Sequence, residues 1–281
     1  MDKGCEVRFG KYGGRSFPEK PQHWEYRYYW VAFVTILAKE VRRFMRIWPQ
    51  TLLPPAISIV LYFVIFGAVI GSRIGTMSGF SYMTYVLPGL VMMSVITNSF
   101  SNVASSFFSN KFQRSIEEIL ISPVPDWVIL AGYVLGGVAR GVITGAIVMG
   151  LGLFFVELKV YDVIATLLAI VMTATLFALG GFINGIFAKK FDDVSIIPIF
   201  VLTPMTYLGG VFYSIEMLPK FWQKVSMLNP ILYQVNTFRY GLLGEAGGID
   251  TSFSFCVMLL AILLLGTYSL HLLKTGRGLR S

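Results

Sequence analysis

The chain has 281 residues, of which 55% are hydrophobic and 14% charged, with a mean hydropathy of +0.69. Ordinary globular domains carry about 25% charged residues, so this composition cannot cover a soluble core with polar surface, and the solvent it implies is a bilayer. The net charge of +8 follows the connections between apolar runs, which excludes a nucleic-acid footprint.

Residues 1–24 are polar, basic and rich in Gly, with no apolar run after the first charges. They read as a loosely ordered cytoplasmic tail and not as a cleaved signal peptide. Residues 25–48 have helical period. Trp30, Phe33, Val34, Leu37, Val41, Phe44 and Trp48 share one stripe, and Lys39, Glu40, Arg42, Arg43 and Arg46 crowd elsewhere. This pattern predicts an amphipathic helix lying in the membrane interface. Pro49, Pro54 and Pro55 then set a break between that horizontal helix and a vertical one.

A spanning helix needs roughly 20 apolar residues. Six stretches qualify within a transmembrane domain at 49–274: about 50–71, 83–108, 127–156, 162–188, 194–213 and 252–273. A basic tail, 275–281, follows. Seventeen of the 23 Lys and Arg fall in the two tails, the interfacial helix and the connections after spans two and four. Five fall in the opposite connections, and Arg140 lies inside the third span. The positive-inside rule places both termini in the cytoplasm. The basic excess is then topology and contact with anionic lipid.

The short outer connection Gly71–Ser81 is rich in Gly and Ser, and nothing is expected to fold there. In the second span Ser94, Asn98, Ser101, Asn102, Ser105 and Ser109 recur at steps of three and four, which puts them on one face. Two readings stand: hydrogen bonds between helices, or the wall of a translocation path. Between spans two and three lies a polar island, Asn110–Trp127. Asn110–Ile121 reads as one short helix with Phe112, Ile116, Ile119 and Leu120 on its apolar face. Lys111, Gln113, Arg114, Glu117 and Glu118 occupy the rest, and Pro123 and Pro125 stop it. Again two readings stand: a docking element that takes force from a soluble partner, or a helix resting among headgroups.

In the third span Gly137, Gly141 and Gly145 make two overlapping GxxxG steps, which let helices approach closely. Arg140, about 20 Å along that helix from Trp127, needs a partner or a wet cavity, and the sequence names none. The turn at Lys189–Asp193 offers a second small contact through Asp192 and Asp193. The fifth span carries Pro198, Thr203, Pro204, Thr206, Tyr207, Gly209 and Gly210, which suggests a locally unwound wall facing a cavity. Beyond it, Leu218–Trp222 and Ile231–Leu243 read either as two re-entrant helices broken at Asn229-Pro230 or as an aromatic belt.

Much chemistry is missing. No Gly-x-x-x-x-Gly-Lys-Ser/Thr loop is present to cradle ATP phosphates, and no catalytic triad or metal spacing appears. Cys5 and Cys256 belong to different levels of the plan, so neither a disulfide nor a metal site is expected. No carboxylate falls at mid-membrane in any of the six spans, where a proton- or sodium-driven carrier usually has one. Energy then comes from another subunit, or the chain is a stand-alone secondary transporter or channel.

In this light the chain is identified as resembling the ABC-2 type permeases, the membrane subunits of bacterial ATP-binding-cassette exporters. The resemblance is carried by KEVRRFMRIW at Lys39–Trp48, GSRIG at Gly71–Gly75, PGLVMMSVITN at Pro88–Asn98 and NVASSFF at Asn102–Phe108. It continues through KFQRSIEEIL at Lys111–Leu120, GGVARG at Gly136–Gly141, FDD at Phe191–Asp193 and LTPMTYLGGVFYS at Leu202–Ser214. LNP at Leu228–Pro230, FRYG at Phe238–Gly241 and GRGLRS at Gly276–Ser281 complete it, so that it runs from about residue 28 to the end.

The resemblance implies an all-α membrane protein with six spans, an interfacial helix, a cytoplasmic coupling helix and re-entrant external helices. It implies a second copy of the chain and a separate cytoplasmic ATPase subunit that binds ATP and Mg, with no cofactor on this chain and no enzyme activity of its own. The coupling helix maps onto Lys111, Phe112, Gln113, Arg114, Ile116, Glu117, Glu118 and Ile121, with Asp192 and Asp193 as a secondary contact. Spans two and five would line the path through Asn98, Ser101, Asn102 and Ser105, with Thr203, Thr206 and Tyr207 opposite. The location implied is the bacterial inner membrane.

Overall fold

The computed structural model describes residues 22–65, 76–77, 79–157, 160–244 and 248–278. Most of the tail expected at 1–24, the last three residues of the one expected at 275–281, and most of the connection Gly71–Ser81 lie outside the described residues.

Apolar runs of this length have one way to satisfy their backbone in lipid, and they take it as helices. The elements are α1 (Gln22–Arg46), α2 (Trp48–Ile65), a ladder of β1 (Thr76–Met77) with β2 (Phe80–Ser81), α3 (Tyr82–Phe112), α4 (Ser115–Ile121), α5 (Asp126–Gly152) and α6 (Val163–Phe187). Then come α7 (Phe191–Ile197), a π turn (Pro198–Leu202), α8 (Thr203–Leu208), a 3-10 turn (Ile215–Met217), α9 (Lys220–Met227), α10 (Pro230–Leu243) and α11 (Thr251–Thr275). Among the described residues six helical stretches are long and apolar enough to cross a membrane, with α7 through α8 counted as one. They match the six predicted spans, with ends displaced by a few residues. The β1–β2 pair, antiparallel with Met77 opposite Phe80, corrects the expectation that nothing folds before the second span.

Helix ends follow local chemistry. Asp162 Oδ1 accepts from the N–H groups of Ile164 and Ala165 at 2.9 and 3.1 Å and so caps α6. Asn229 Oδ1 accepts from Ile231 N–H at 3.0 Å, with Pro230 opening α10. Gly244 and Gly276, at φ 78° and 66°, close α10 and α11 in the left-handed conformation. The π turn has an identifiable cause. Pro198 has no N–H to give the Val194 carbonyl, and Asn184 Nδ2 from α6 donates to that oxygen instead at 3.1 Å.

The most buried span is α3, which packs most extensively on α6 and α5. Small residues make this possible. A Cβ on Gly137 would meet Val103, one on Gly141 would meet the Ser99 hydroxyl, and one on Gly181 would meet the Phe100 carbonyl. The GxxxG steps expected in the third span therefore close against the second. Helix α10 is buried as well, against α6, α11 and α3. Its Arg239 donates from Nη2 to Gly210 O at 2.9 Å and lies 3.9 Å over the Tyr85 ring. An aromatic belt alone does not describe it.

Candidate functional site

The polar end of the bundle is built where α3 stops. The single helix expected over Asn110–Ile121 is two helices. The second span continues to Phe112, and Arg114 then takes the left-handed conformation at φ 58°. Gln113 and Arg114 are the hinge, and α4 starts afresh at Ser115. Ser115 Oγ donates to Asn110 O at 3.2 Å and so braces the corner. On α4, Ile116 is buried and Ile119 and Leu120 pack against the core, while Glu117 and Glu118 are exposed. Ile121 is 81% exposed, the apolar tip of the helix. The helix is thus anchored on one side and free on the other.

Two contacts tie this corner to the turn between spans four and five. Lys111 Nζ donates to the carbonyls of Ile186 and Ala188 at 2.5 and 3.0 Å, at the end of α6 where such oxygens lack helical partners. Phe191 meets both Phe108 and Phe112 with ring centroids 5.0 Å apart. Asp193, expected as a docking contact, folds back on its own turn, where its Oδ2 accepts from the N–H groups of Lys189 and Lys190 at 2.8 and 3.0 Å. Asp192 is exposed beside it.

Farther along the same helices lies a polar network that periodicity does not reveal. Glu40 is 0% exposed. It sits over Gly136, where a Cβ would stand 2.6 Å from its own Cβ, so only a glycine admits it. Ser106 Oγ donates to Glu40 Oε1 at 2.7 Å, and Arg43 pairs with Oε2 at 3.4 Å. Arg43 Nη2 also donates to Asn102 Oδ1 and O at 2.8 and 2.9 Å. Arg140 donates to Asn98 Oδ1 at 3.1 Å and lies 3.5 Å from Asn102 Oδ1. The face α1 presents to the protein is therefore Ile36, Glu40 and Phe44, while Trp30, Val34 and Trp48 from the expected stripe point away. As an interfacial helix α1 is also a docked one, packed on α5.

The polar stripe of the second span divides. Asn98 and Asn102 are buried and accept from Arg140; Asn98 and Ser101 line the first of two hollows, Ser101 and Ser105 the second, and Asn102 lines neither. Two adjoining hollows, of about 340 and 370 Å³, meet at Gln50, Thr51, Ser101 and Arg140. The first runs along α2 and α3, past Pro54, Tyr62 and Thr97; the second reaches Ser195 and Pro198 of the fifth span. Of the residues expected opposite, Thr206 is buried with its hydroxyl donating to Leu202 O at 2.7 Å. Thr203 donates to Pro198 O at 3.0 Å and steadies the π turn. Tyr207 is exposed and packs on Phe212. None of these three lines either hollow.

This bundle, with the short helix α4 following its second span and the buried helix α10 before its last, has known relatives. The family model described as ABC-2 type transporter matches residues 31–243, and the chain belongs to that family. It is 58% identical over 254 residues to the inner membrane transport permease YadH of Escherichia coli K12, covering 90% of this chain and 98% of YadH. It is 25% identical over 190 residues to nodulation protein J of Rhizobium leguminosarum bv. viciae, covering 66% of this chain and 72% of that one. The protein is thus the membrane subunit of a transporter, a multi-pass inner-membrane permease and not an enzyme. Its family implies partnership with an ATP-binding subunit.

Proposed function

We propose that this chain is the permease of an ATP-driven exporter. Two copies form the path, and separate ATP-binding-cassette subunits, which hold the ATP and Mg, dock on α4. Both termini face the cytoplasm, as the distribution of Lys and Arg favours. The observation that carries the reading is the two-sided form of α4: Ile116 set in the core, Glu117, Glu118 and Ile121 left free. Nucleotide-driven closure of the partner pushes α4. Lys111 and the Phe108–Phe112–Phe191 cluster pass that push to the fourth and fifth spans. The groove at Asn98, Ser101 and Ser105 is the path wall, and Asn102 supports it from behind through Arg43 and Arg140.

Reversing two charges on the exposed face tests the docking. The double substitution Glu117→Lys and Glu118→Lys should leave a folded permease that no longer copurifies with its ATP-binding subunit, since like charges across an interface are repulsive. Undiminished copurification, with ATP hydrolysis still responding to the permease, would refute α4 as the docking element.

A further inference from the structure

The groove has a charge imbalance at its floor. Arg43 and Arg140 both contact Asn102 Oδ1, and Glu40 is the sole carboxylate in the network. Both oxygens of Glu40 are engaged, one by Ser106 and one by Arg43. Arg140 therefore has only neutral amide oxygens as acceptors, and among the described residues no carboxylate lies within 4.0 Å of it. Unmatched nitrogen donors accumulate here as well: Arg43 Nε, Asn102 Nδ2 and Arg140 Nε. A guanidinium at membrane depth without a counter-charge is costly, and such residues face protein or a wet cavity. Arg140 reaches both hollows, and the first of them continues from it along the apolar side chains of Pro54, Ile59, Leu90 and Val148.

We infer that this groove binds an amphiphile with one anionic headgroup, of the phosphate or carboxylate class, whose charge pairs with Arg140 and whose chain lies along α2 and α3. The inference rests on the groove being the path wall and names the chemistry that path accepts. A planar guanidinium suits either oxyanion. Ser101 supplies a hydroxyl to both hollows, and they are of the size that small ligands occupy, roughly 300–1,000 Å³.

The test is lipid retention on the purified full-length permease, by native mass spectrometry after equilibration with equal phosphatidylglycerol and phosphatidylcholine. The wild-type protein should retain phosphatidylglycerol in roughly tenfold preference, the ratio that one charge-assisted hydrogen bond supports. Arg140→Gln should remove the preference, and Arg140→Lys should keep most of it. Ser101→Phe, which fills the groove and leaves Arg140 in place, should reduce total retention and covers the case in which Arg140→Gln fails to fold. Equal retention of the two lipids by the wild-type protein, a preference that survives Arg140→Gln, or undiminished total retention by Ser101→Phe overturns the inference. Dodecyl phosphate separates the two sources of such a ligand. If it stimulates ATP hydrolysis by the reconstituted complex, the anion is cargo; if phosphatidylglycerol is retained without stimulation, it is a resident lipid, and both results support the site. Retention is read without the ATP-binding subunit, so its failure is distinct from failure of docking.

Discussion

Glu40→Ala is expected to lower the stability of the permease by about 2 kcal/mol, because the half-buried Arg43 loses its counter-charge and keeps only the neutral oxygens of Asn102. Arg43 would be left beside Arg140 with no carboxylate between them, and the Ser106 hydroxyl would lose its acceptor. The loss should appear as detachment of α1 from α5, since Glu40 over Gly136 and Ile36 over Gly132 are the close contacts of that face. Glu40→Gln keeps one acceptor, for Arg43, while its amide N–H donates to the turned Ser106 hydroxyl, and should recover about half the loss. Reversible unfolding of the detergent-solubilised protein measures both. A change below about 0.5 kcal/mol for Glu40→Ala, the size of an ordinary surface substitution, would mean that the network does not hold α1.

Lys111→Met is expected to break coupling more than folding. The lysine bridges the end of α3 to the last carbonyls of α6, so it joins the docking corner to the turn that begins the fifth span. Without it about 2 kcal/mol of charge-assisted hydrogen bonding is lost, and the Phe108–Phe112–Phe191 cluster alone connects the two turns. The ATP-binding subunit should still copurify, while the permease no longer alters its hydrolysis rate. Lys111→Arg, which can reach the same carbonyls, should restore the response. If Lys111→Met leaves the response intact, force does not pass through this bridge.

The spans are legible in the sequence because membrane solvent leaves one solution for an apolar run of this length. The GxxxG steps are legible for a related reason, since close approach needs small residues wherever the partner is. Azimuth is not legible. A stripe such as Ser94–Ser109 says that one face is polar, and it does not say that Asn102 turns to Arg43 and Arg140 while Ser101 turns to the groove. Glu40 looks like one more solvated charge because the residues that accommodate it, Ser106 and Gly136, lie on other helices far along the chain. The break at Arg114 is hidden for another reason: the apolar period runs through Phe112 and Ile116 without a Gly or Pro to mark the corner. Pro198 does mark a backbone irregularity, and the π turn beside it is the local consequence. Thr203 and Thr206, by contrast, turn their hydroxyls to their own helix.

Ile121 offers the most direct measurement of the central claim, because its side chain is open and stands at the tip of the docking helix. In a background with Cys5 and Cys256 replaced by Ser, Ile121→Cys should react with a membrane-impermeant maleimide in inside-out vesicles and not in intact cells. Bound ATP-binding subunit should protect it. Labelling from the outside, or labelling that the ATP-binding subunit does not slow, would contradict a cytoplasmic docking helix moved by a partner's ATP hydrolysis.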